Sequence, residues 1–296
     1  TVRCPRRALG PAPTKGSHLV LRRVIRHGLF VQARSDRRML FVLPWGDLTL
    51  VGTTERPVGE SLEALRATRD EVDYLLEEVN RALPEARLTD ADIVGTFAGA
   101  RPLLMFRGSA GAASREHRIE VDRGGLVSVL GGKYTTYRRM AQQTVEVLMR
   151  RQRWVVGRCR TDRLPLVEAP PPLASMLQGR PAHAIDAEVL GRLLARYGKS
   201  LSRLLSLVAQ DASLAQPLCP HHQVLRAELA HALREELACS VSDLLVRRTR
   251  IALSACHGLD ALPVVTDLMR RYGGWSDDRI EQQVTEYRAD LERQSL

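Results

Sequence analysis

A cluster of prolines near the middle of the chain separates two stretches with different residue patterns. Prolines stand at positions 165, 170, 171, 172 and 181 of the 296 residues. Because proline lacks a backbone N–H and disrupts helix interiors, this segment predicts an extended linker. The sequence therefore predicts an α+β chain with four parts: an irregular segment at 1–13, an antiparallel sheet region at 14–152, a proline-rich linker at 153–182 and an all-α region at 183–296.

The first half shows the alternation expected of short strands. These are predicted at residues 16–20, 29–33, 39–43 and 48–53, with Gly46-Asp47 as a hairpin turn. Thr68 precedes Glu71 by three residues, the spacing of a capping box, and an apolar stripe then leads to Pro84. We expect this helix to lie on the sheet. Extended chain is predicted to resume at 93–102 and again at 115–121.

A second feature of this half is a glycine corner between a strand and a helix. Apolar residues at 126–130 lead into Gly131-Gly132-Lys133-Tyr134-Thr135-Thr136, and helical spacing follows from Tyr137 to about Arg151. Glycines let the backbone approach a ligand closely, and threonines can cap a helix. The first backbone N–H groups of a helix are unpaired, so this corner suits an anion or a polar ring edge.

The second half shows helical spacing throughout, and about five helices are predicted. Ser240-Val241-Ser242-Asp243 opens one of them. Ser276 opens another, on which Ile280, Val284, Tyr287 and Leu291 share one face. The cluster Cys219-Pro220-His221-His222 has potential metal ligands, but it lies in a predicted turn without a second ligand pair at zinc spacing, so no metal site is predicted.

Composition limits the class of protein. A hydrophobic fraction of 44% and a charged fraction of 26% are typical of a globular protein, and no apolar run reaches the roughly 18 residues of a spanning helix. No signal peptide is predicted, since the first residues lack an apolar segment. Five cysteines without CxxC spacing favour reduced thiols and a cytoplasmic location.

The positive charge is concentrated at the beginning of the chain. Residues 1–40 carry ten basic side chains and one acid, Asp36, so they contribute +9 of the net charge of +10. Such a segment can meet nucleic acid, an anionic membrane or a phosphorylated substrate, or it can be a solvated surface. Aromatic residues make up only 4% of the chain, which leaves few stacking platforms for single-stranded nucleic acid.

Few residues are candidates for chemistry. His18 can serve as a general base near neutral pH, or it can be an ordinary histidine. Arg101 and Arg115 suit a phosphate or carboxylate, and Lys133 beside two glycines can stabilise developing negative charge. No G-x-S-x-G, G-x-x-x-x-G-K-[ST] or G-x-G-x-x-G pattern occurs. These residues alone predict a ligand-binding sheet region joined to a helical domain.

The order of six motifs is more specific than any of them alone. It closely resembles the FAD-dependent, respiratory-type glycerol-3-phosphate dehydrogenases, and the resemblance extends from about residue 14 to residue 290. The motifs are Lys15-Gly16-Ser17-His18-Leu19-Val20, Phe41-Val42-Leu43-Pro44-Trp45, Val51-Gly52-Thr53-Thr54-Glu55, Gly99-Ala100-Arg101-Pro102-Leu103, Ser114-Arg115-Glu116-His117 and the corner from Gly131 to Arg138. Asp243 to Arg250 and Gly274-Trp275 resemble the family's terminal domain.

The resemblance implies a reaction and roles for individual residues. Family members oxidise sn-glycerol 3-phosphate to dihydroxyacetone phosphate, pass a hydride to FAD and transfer the electrons to a membrane quinone. It implies catalytic roles for His18, Arg101 and Lys133, and substrate binding by His18, Arg101 and Arg115. It implies FAD contacts from Gly131, Gly132, Lys133, Tyr134, Thr135 and Thr136. From the resemblance together with the composition, we expect a cytoplasmic protein that can contact the inner face of an anionic membrane and can form a homodimer, and that does not bind nucleic acid.

Two departures from the family pattern stand out. Glu55 follows Gly52-Thr53-Thr54 where the family usually has aspartate. The family's N-terminal dinucleotide-binding half has no counterpart, so we expect the chain to be the C-terminal part of such an enzyme and not to bind FAD tightly alone. Two alternatives remain: a related FAD-dependent amine or amino-acid oxidase, and an inactive module that binds anions or membranes.

Overall fold

One long strand, β1 (Pro11–Arg22), organises the first half of the chain. It pairs antiparallel with β4 (Leu48–Gly52) and β5 (Arg56–Pro57), and with β6 (Ile93–Leu104). Beyond β4, the sheet continues through β3 (Met39–Trp45) to β2 (Leu29–Gln32). The computed structural model describes residues 11–59, 61–104, 116–155, 157–166, 171–177 and 185–294. It divides the chain into two units, Thr1–Leu166 and Val167–Leu296.

The first helix, α1 (Arg69–Ala82), covers one face of this sheet. Val72, Leu75 and Val79 are buried with Leu19 and Leu21 of β1 in one apolar cluster. The Glu71 carboxylate accepts a hydrogen bond from the Thr68 backbone N–H at 3.0 Å, as the predicted capping box requires. The predicted helix, its apolar stripe and its end before Pro84 are confirmed.

A second antiparallel pair completes the first unit. It consists of β7 (His117–Val121) and β8 (Val127–Gly131), and β8 lies against β6. The helix α2 (Tyr137–Gln152) follows after a short 3₁₀ turn, Tyr134–Thr136. The predicted strand, corner and helix are thus present in that order. Residues 105–115, which include Arg115, lie outside the described residues.

The prediction of an irregular segment at residues 1–13 is wrong for positions 11–13, because these belong to β1. Pro11 pairs with Leu104 and Pro13 with Pro102. Proline lacks the N–H donor but keeps its carbonyl, and the Val58 N–H donates to the Pro13 carbonyl at 3.1 Å. A strand therefore tolerates these prolines. Positions 1–10 lie outside the described residues.

The prediction of an extended linker at 153–182 is wrong for a short helical segment that directly follows three consecutive prolines. Residues Leu173–Leu177 form the short helix α3. The Pro172 carbonyl accepts hydrogen bonds from the Ser175 N–H and hydroxyl, which closes its first turn. Met176 is only 2% exposed and joins the apolar core of the second unit. Burial of this side chain outweighs the extended preference of the proline run before it.

The second unit is predominantly helical. Its α-helices after position 183, in the described part of the chain, are α4 (Ala187–Tyr197), α5 (Leu201–Gln210), α6 (Arg226–Glu235), α7 (Leu262–Gly273) and α8 (Asp277–Gln294). The predicted helix opening at Ser240 is instead mainly a π-helical segment, Asp243–Arg248. On α8, Ile280 and Tyr287 are buried, and Val284 and Leu291 pack against the same core, as predicted. The α+β fold class is confirmed.

A two-stranded hairpin interrupts these helices, which the prediction of an all-α region did not include. It consists of β9 (Pro217–Cys219) and β10 (His222–Leu225). Proline at 217 and 220 disfavours a helix, and Leu218, Cys219 and Leu225 are buried in the core of the unit. The predicted turn at Pro220-His221 connects the two strands.

The histidines of that turn have structural partners. His221 Nε2 lies 3.5 Å from Asp260 Oδ2, and His222 Nε2 lies 3.0 Å from Ser254 Oγ. Within the described ranges, no three His, Cys, Asp or Glu side chains are arranged to hold a metal ion. No helix in those ranges combines the length and the apolarity needed to cross a membrane.

Candidate active site

The motif Lys15-Gly16-Ser17-His18 lies on β1, where strand alternation sends its side chains to opposite faces of the sheet. Lys15 and Ser17 face α1: Lys15 Nζ lies 3.0 Å from Glu71 Oε2, and the Ser17 hydroxyl donates to the same oxygen at 2.9 Å. Gly16 and His18 face the other way. Half of this motif therefore supports the fold and half forms a candidate site.

Glu71 is the centre of the supporting half. Its side chain is 1% exposed, and Oε1 accepts a hydrogen bond from the Thr54 hydroxyl at 2.7 Å. Burial by itself raises the pKa of this carboxyl, but the Thr68 N–H, the hydroxyls of Thr54 and Ser17 and the Lys15 ammonium outweigh it. The pKa of Glu71 is lowered to about 2. This ionised network holds β1 and the segment after β4 against α1.

His18 occupies a narrow slot between two register partners on the other face. Gly52 of β4 and Phe97 of β6 lie directly opposite it on the neighbouring strands. The imidazole stacks on the Phe97 ring with the centroids 4.7 Å apart and the planes at 10°. On the other side, a Cβ placed on Gly52 would lie 2.2 Å from His18 Cδ2. Only glycine at position 52 leaves room for this ring.

The slot determines the protonation of His18. Burial, followed by the positive charge of Arg101, lowers the pKa of His18 from 6.5 to about 4, so the imidazole is neutral at neutral pH. Its Nδ1 is buried and has no hydrogen-bond partner in the described part of the chain. An unpaired buried polar atom is costly, about 1–3 kcal/mol.

Arg101 lies on β6 and reaches across Gly16. A Cβ on Gly16 would lie 2.9 Å from Arg101 Nη2 and 2.6 Å from Thr53 Oγ1. Glycine at 16 therefore lets the guanidinium lie close to β1, on the same face as His18. The structure brings these two predicted site residues together, as an imidazole and a guanidinium on one sheet face.

Two further glycines on this face leave space beside that pair. No described atom lies within 4 Å of a Cβ placed on Gly95 or on Gly99 of β6. The same face carries an aromatic row: Phe30 pairs with Phe41, Phe41 with Gly52, and Gly52 with His18. The rings of Phe30 and Phe41 are 59% and 48% exposed. This face of the sheet therefore has open space beside His18 and Arg101.

The predicted glycine corner is formed as a tight turn. Gly131 and Gly132 have φ of 68° and 99°, a region that favours glycine. The side chains of Lys133, Tyr134 and Thr135 are exposed, and Lys133 makes no ion pair with any described residue. Thr136 does not cap α2 as predicted; its hydroxyl donates to the Lys133 carbonyl at 3.0 Å. The Thr136 N–H donates to the same carbonyl at 3.0 Å, which closes the 3₁₀ turn.

The corner belongs to the same unit as His18 and Arg101, because β8 lies against β6. No hydrogen bond or ion pair between described residues joins Lys133 to His18. Arg115 lies outside the described residues, so its predicted place beside Arg101 stays a prediction. Glu55, which replaces the family's usual aspartate, is bound by the Arg38 guanidinium.

Sequence reasoning missed Gly52 and Phe97, the two walls of the slot. In the sequence, Gly52 appears only as part of a motif, and Phe97 only as part of an extended segment. The signal that identifies them is strand register, since both lie opposite His18. Register depends on the pairing of distant segments, which strand alternation within one segment does not specify.

Comparison with known proteins bears on this arrangement. The family model for FAD dependent oxidoreductases matches residues 5–138, and the model for the C-terminal domain of alpha-glycerophosphate oxidase matches residues 159–280. Glycerol-3-phosphate dehydrogenase 2 of Mycobacterium tuberculosis is 34% identical over 289 residues, which are 96% of this chain and 49% of that protein. The glycerol-3-phosphate dehydrogenase of Synechocystis is 30% identical over 294 residues, 96% of this chain and 53% of that protein.

A solved structure agrees with the fold. The X-ray structure of the glycerol-3-phosphate dehydrogenase from Bacillus halodurans complexed with FAD matches with a TM-score of 0.71 at 24% identity. The match covers 95% of this chain and 57% of that one. The two family models, matched in this order, define the class as an FAD-dependent oxidoreductase followed by a C-terminal domain of the alpha-glycerophosphate oxidase type. Together with the sequence matches, they show that the chain belongs to the family of FAD-dependent glycerol-3-phosphate dehydrogenases.

The matches cover only part of each relative, which limits the properties that can be assigned to this chain. The chain spans about half the length of the curated relatives it matches. The resemblance found in the sequence is confirmed at the level of family and fold. The activity, substrate and partners of the whole enzyme are therefore treated as proposals.

Proposed function

We propose that this chain forms the substrate-binding side of an FAD-dependent glycerol-3-phosphate dehydrogenase, which oxidises sn-glycerol 3-phosphate to dihydroxyacetone phosphate. The observation that carries the proposal is the pair His18 and Arg101 on one sheet face, with His18 Nδ1 buried and lacking a described partner. A neutral base next to a cation matches a substrate that has a hydroxyl to deprotonate and a phosphate to bind. The family membership supports it.

The reaction removes a proton and a hydride from one carbinol group. Bound FAD would supply the acceptor for the hydride of the substrate carbon. His18 accepts the hydroxyl proton, because its imidazole is neutral at neutral pH and its ring is held in a fixed orientation. Arg101 binds the phosphate and orients the substrate, so that the hydroxyl meets the imidazole.

Substrate charge would also tune the base. Arg101 contributes to the low pKa of His18. An anionic phosphate beside Arg101 would offset that charge, which raises the pKa of His18 and makes it a stronger base only when substrate is bound. A desolvated imidazole with a nearby guanidinium thus links proton abstraction to phosphate binding.

The glycine corner is proposed to contact the flavin. Gly131 and Gly132 keep side chains out of the turn, and the exposed ammonium of Lys133 would stabilise negative charge on a reduced ring. We propose that Tyr134, Thr135 and Thr136 contribute contacts of the same kind, and that Arg115 joins Arg101 at the phosphate. The fit to FAD rests on the positive φ of both glycines and the space above Gly95 and Gly99.

Other features of the proposal rest on the resemblance alone. These are transfer of electrons to a membrane quinone, a cytoplasmic location on the inner face of the cell membrane, and assembly as a homodimer. A related amine or amino-acid oxidase is the alternative reaction. The names of the relatives favour the dehydrogenase.

The direct experiment supplies the half that the relatives have in addition. The chain is co-expressed with the N-terminal half of the Mycobacterium tuberculosis relative, and the purified complex is tested for flavin absorbance. We expect a yellow complex whose flavin is bleached by glycerol 3-phosphate and not by amino acids. A complex that stays colourless, or a flavin reduced by amino acids only, would reject the proposed reaction.

Removing the charge of Arg101 should weaken substrate binding selectively. In the reconstituted enzyme, we expect Arg101→Gln to raise the KM for glycerol 3-phosphate about 10- to 100-fold, since a charged hydrogen bond contributes about 1.5–3 kcal/mol. Oxidation of unphosphorylated glycerol should change little. Arg118→Gln, at an exposed arginine of β7, is the matched control. Equal losses with glycerol and with its phosphate would contradict a phosphate-binding role.

A specific surface favours membrane contact as a second candidate function. The rings of Phe30 and Phe41 are in contact in a tilted arrangement, with centroids 4.6 Å apart, yet both residues are exposed. Arg34 and Arg37 lie in the exposed turn between their strands. Aromatic side chains beside cations are typical of proteins that bind anionic bilayers. We propose that this hairpin makes the peripheral contact.

Replacing both rings should release the protein from vesicles. We expect Phe30→Ser/Phe41→Ser to reduce flotation with vesicles that contain anionic phospholipid by at least about tenfold, because each ring gains about 1.5–3 kcal/mol on leaving water. Leu62→Ser, at a residue of the same unit that is 59% exposed, is the control. Binding that is equal for the double variant and the control would argue against this surface.

A further inference from the structure

We propose that Phe97 is a positioning residue for the proposed oxidation: its ring forms one wall of the His18 slot and holds the imidazole in the orientation that presents it to substrate. The inference rests on the proposed function for its catalytic meaning. The positioning itself is a property of this chain and is measurable without turnover.

The geometry shows that two surfaces restrict the imidazole from opposite sides. Phe97 lies parallel to it, 4.7 Å between centroids and 10° between planes. Gly52 lies against the other side, so close that a Cβ there would be 2.2 Å from His18 Cδ2. A ring enclosed in this way cannot rotate about its χ2 angle without separating from Phe97 or striking the backbone of β4. The slot therefore fixes which atoms of His18 are buried and which are accessible.

A core role does not account for Phe97. The apolar cluster of this unit lies on the α1 side of the sheet, and Phe97 is neither a buried member of it nor one of the partly buried side chains packed against it. Its neighbour Thr96 points to the buried side and is 5% exposed. Phe97 instead lies half-buried on the site face, where its described ring partner is His18. An aromatic ring placed there acts on the imidazole rather than on the core.

The character of the ring also matters. A flat aromatic face can stack on a neutral imidazole over its whole area, and such pairs add about 0.5–1.5 kcal/mol beyond the area buried. It also keeps water from one side of His18, and burial is the first cause of the low pKa of that residue. Arg101 of β6 is the charged group that acts on His18. Lys15, on the same strand, faces α1 and does not enter this site.

The test measures the titration of His18 in the isolated chain. Histidine-labelled protein is followed by NMR between pH 3 and pH 8, and the His18 signal is assigned by its loss in His18→Gln. We expect Phe97→Leu to raise the pKa of His18 by about one pH unit, which is a tenfold change in its proton affinity. The reason is that water gains access to the side of the imidazole that Phe97 covers in the native protein. Phe97→Tyr, which keeps the flat ring, should restore the native titration.

Matched variants separate positioning from general damage. Phe30→Leu, on the same face but at the far edge of the sheet, should leave the His18 titration unchanged. If Phe97→Leu does not fold, as judged by circular dichroism, Phe97→Met preserves the volume and removes the flat ring. A folded Phe97→Leu or Phe97→Met protein with native titration of His18 would overturn the proposal. So would a Phe97→Tyr protein with the leucine phenotype.

Turnover then connects the slot to the reaction. In the reconstituted enzyme, we expect Phe97→Leu to lower kcat about tenfold or more, with KM for glycerol 3-phosphate within about threefold of native, since Arg101 is retained. A rise in KM with unchanged kcat would overturn the catalytic meaning of the slot. A shifted His18 titration in an enzyme that never oxidises glycerol 3-phosphate, even as the native chain, would reject the proposed function while the positioning stands.

Discussion

Gly52→Ala is expected to lower kcat/KM for glycerol 3-phosphate by about 100-fold or more in the reconstituted enzyme. The new Cβ would lie 2.2 Å from His18 Cδ2 and 2.9 Å from its Nε2, distances that atoms do not adopt. Phe97 blocks retreat on the other side, so the imidazole has to leave the slot. A displacement of about 1 Å at a catalytic group is enough for a loss of this size. Steady-state kinetics measure it.

Gly59→Ala is the matched control for this prediction. Gly59 lies in the same unit, after β5, and no described atom is within 4 Å of a Cβ placed there. We expect its activity to stay within about threefold of native. The explanation fails if Gly52→Ala keeps native activity, or if its loss is matched by Gly59→Ala. Thermal unfolding of both variants establishes that a folded protein is being compared.

Glu71→Gln is expected to lower the free energy of unfolding of the first unit by about 3–5 kcal/mol at pH 7. The substitution keeps the shape of the side chain but removes its charge, which leaves the Lys15 ammonium buried without its counterion. Breaking one partner of a buried ion pair typically costs this much. Urea unfolding is monitored by hydrogen exchange of the α1 amides, which reports on the first unit separately from the helical second unit.

The same network predicts how stability depends on pH. A carboxyl with a pKa near 4.5 in the unfolded chain and about 2 in the folded one binds fewer protons when folded. Its contribution, on the order of 3 kcal/mol, is therefore complete above about pH 4.5 and is lost as the pH falls towards 2. The difference between the native protein and Glu71→Gln should shrink over this range.

Glu77→Gln is the control for the carboxyl prediction. Glu77 lies on the same helix with its side chain exposed, so its neutralisation should change the free energy of unfolding by no more than about 0.5 kcal/mol. A Glu71→Gln protein as stable as Glu77→Gln at pH 7 would show that the buried carboxylate contributes nothing. A difference that stays constant down to pH 2 would contradict the ionised state.

The motif Lys15-Gly16-Ser17-His18 combines the two largest predictions. Its odd-numbered residues bind Glu71 beneath the sheet, while its even-numbered residues form the site above it. Disturbing the lower network would therefore shift the strand that carries His18. Because side chains alternate along the strand, the support of the fold and the candidate site lie on the same few residues. The two roles are still measured separately, since the first affects unfolding and the second affects turnover.

Much of the architecture was predictable from local patterns. The Thr68–Glu71 spacing and the apolar stripe identified α1, the Gly131-Gly132 pair identified the corner, and Ile280 and Tyr287 identified the buried face of α8. Each of these patterns involves residues a few positions apart, where helix period, capping and glycine conformation act directly. Local patterns failed at positions 11–13 and 173–177, where prolines suggested irregular chain. Pairing with β6 and burial of Met176 decided those segments instead.

The sequence by itself determined the order of the main elements of the first half, the family, and two candidate site residues that the structure places on one sheet face, His18 and Arg101. Only the tertiary structure decided what surrounds them. Glu71 appeared from the sequence as a helix cap, yet folding makes it the buried counterion of Lys15. Gly52 and Phe97 became the walls of the His18 slot because β4 and β6 pair with β1 in one particular register. That register joins segments tens of residues apart, so it follows from burial of the whole sheet against α1 and not from any local pattern.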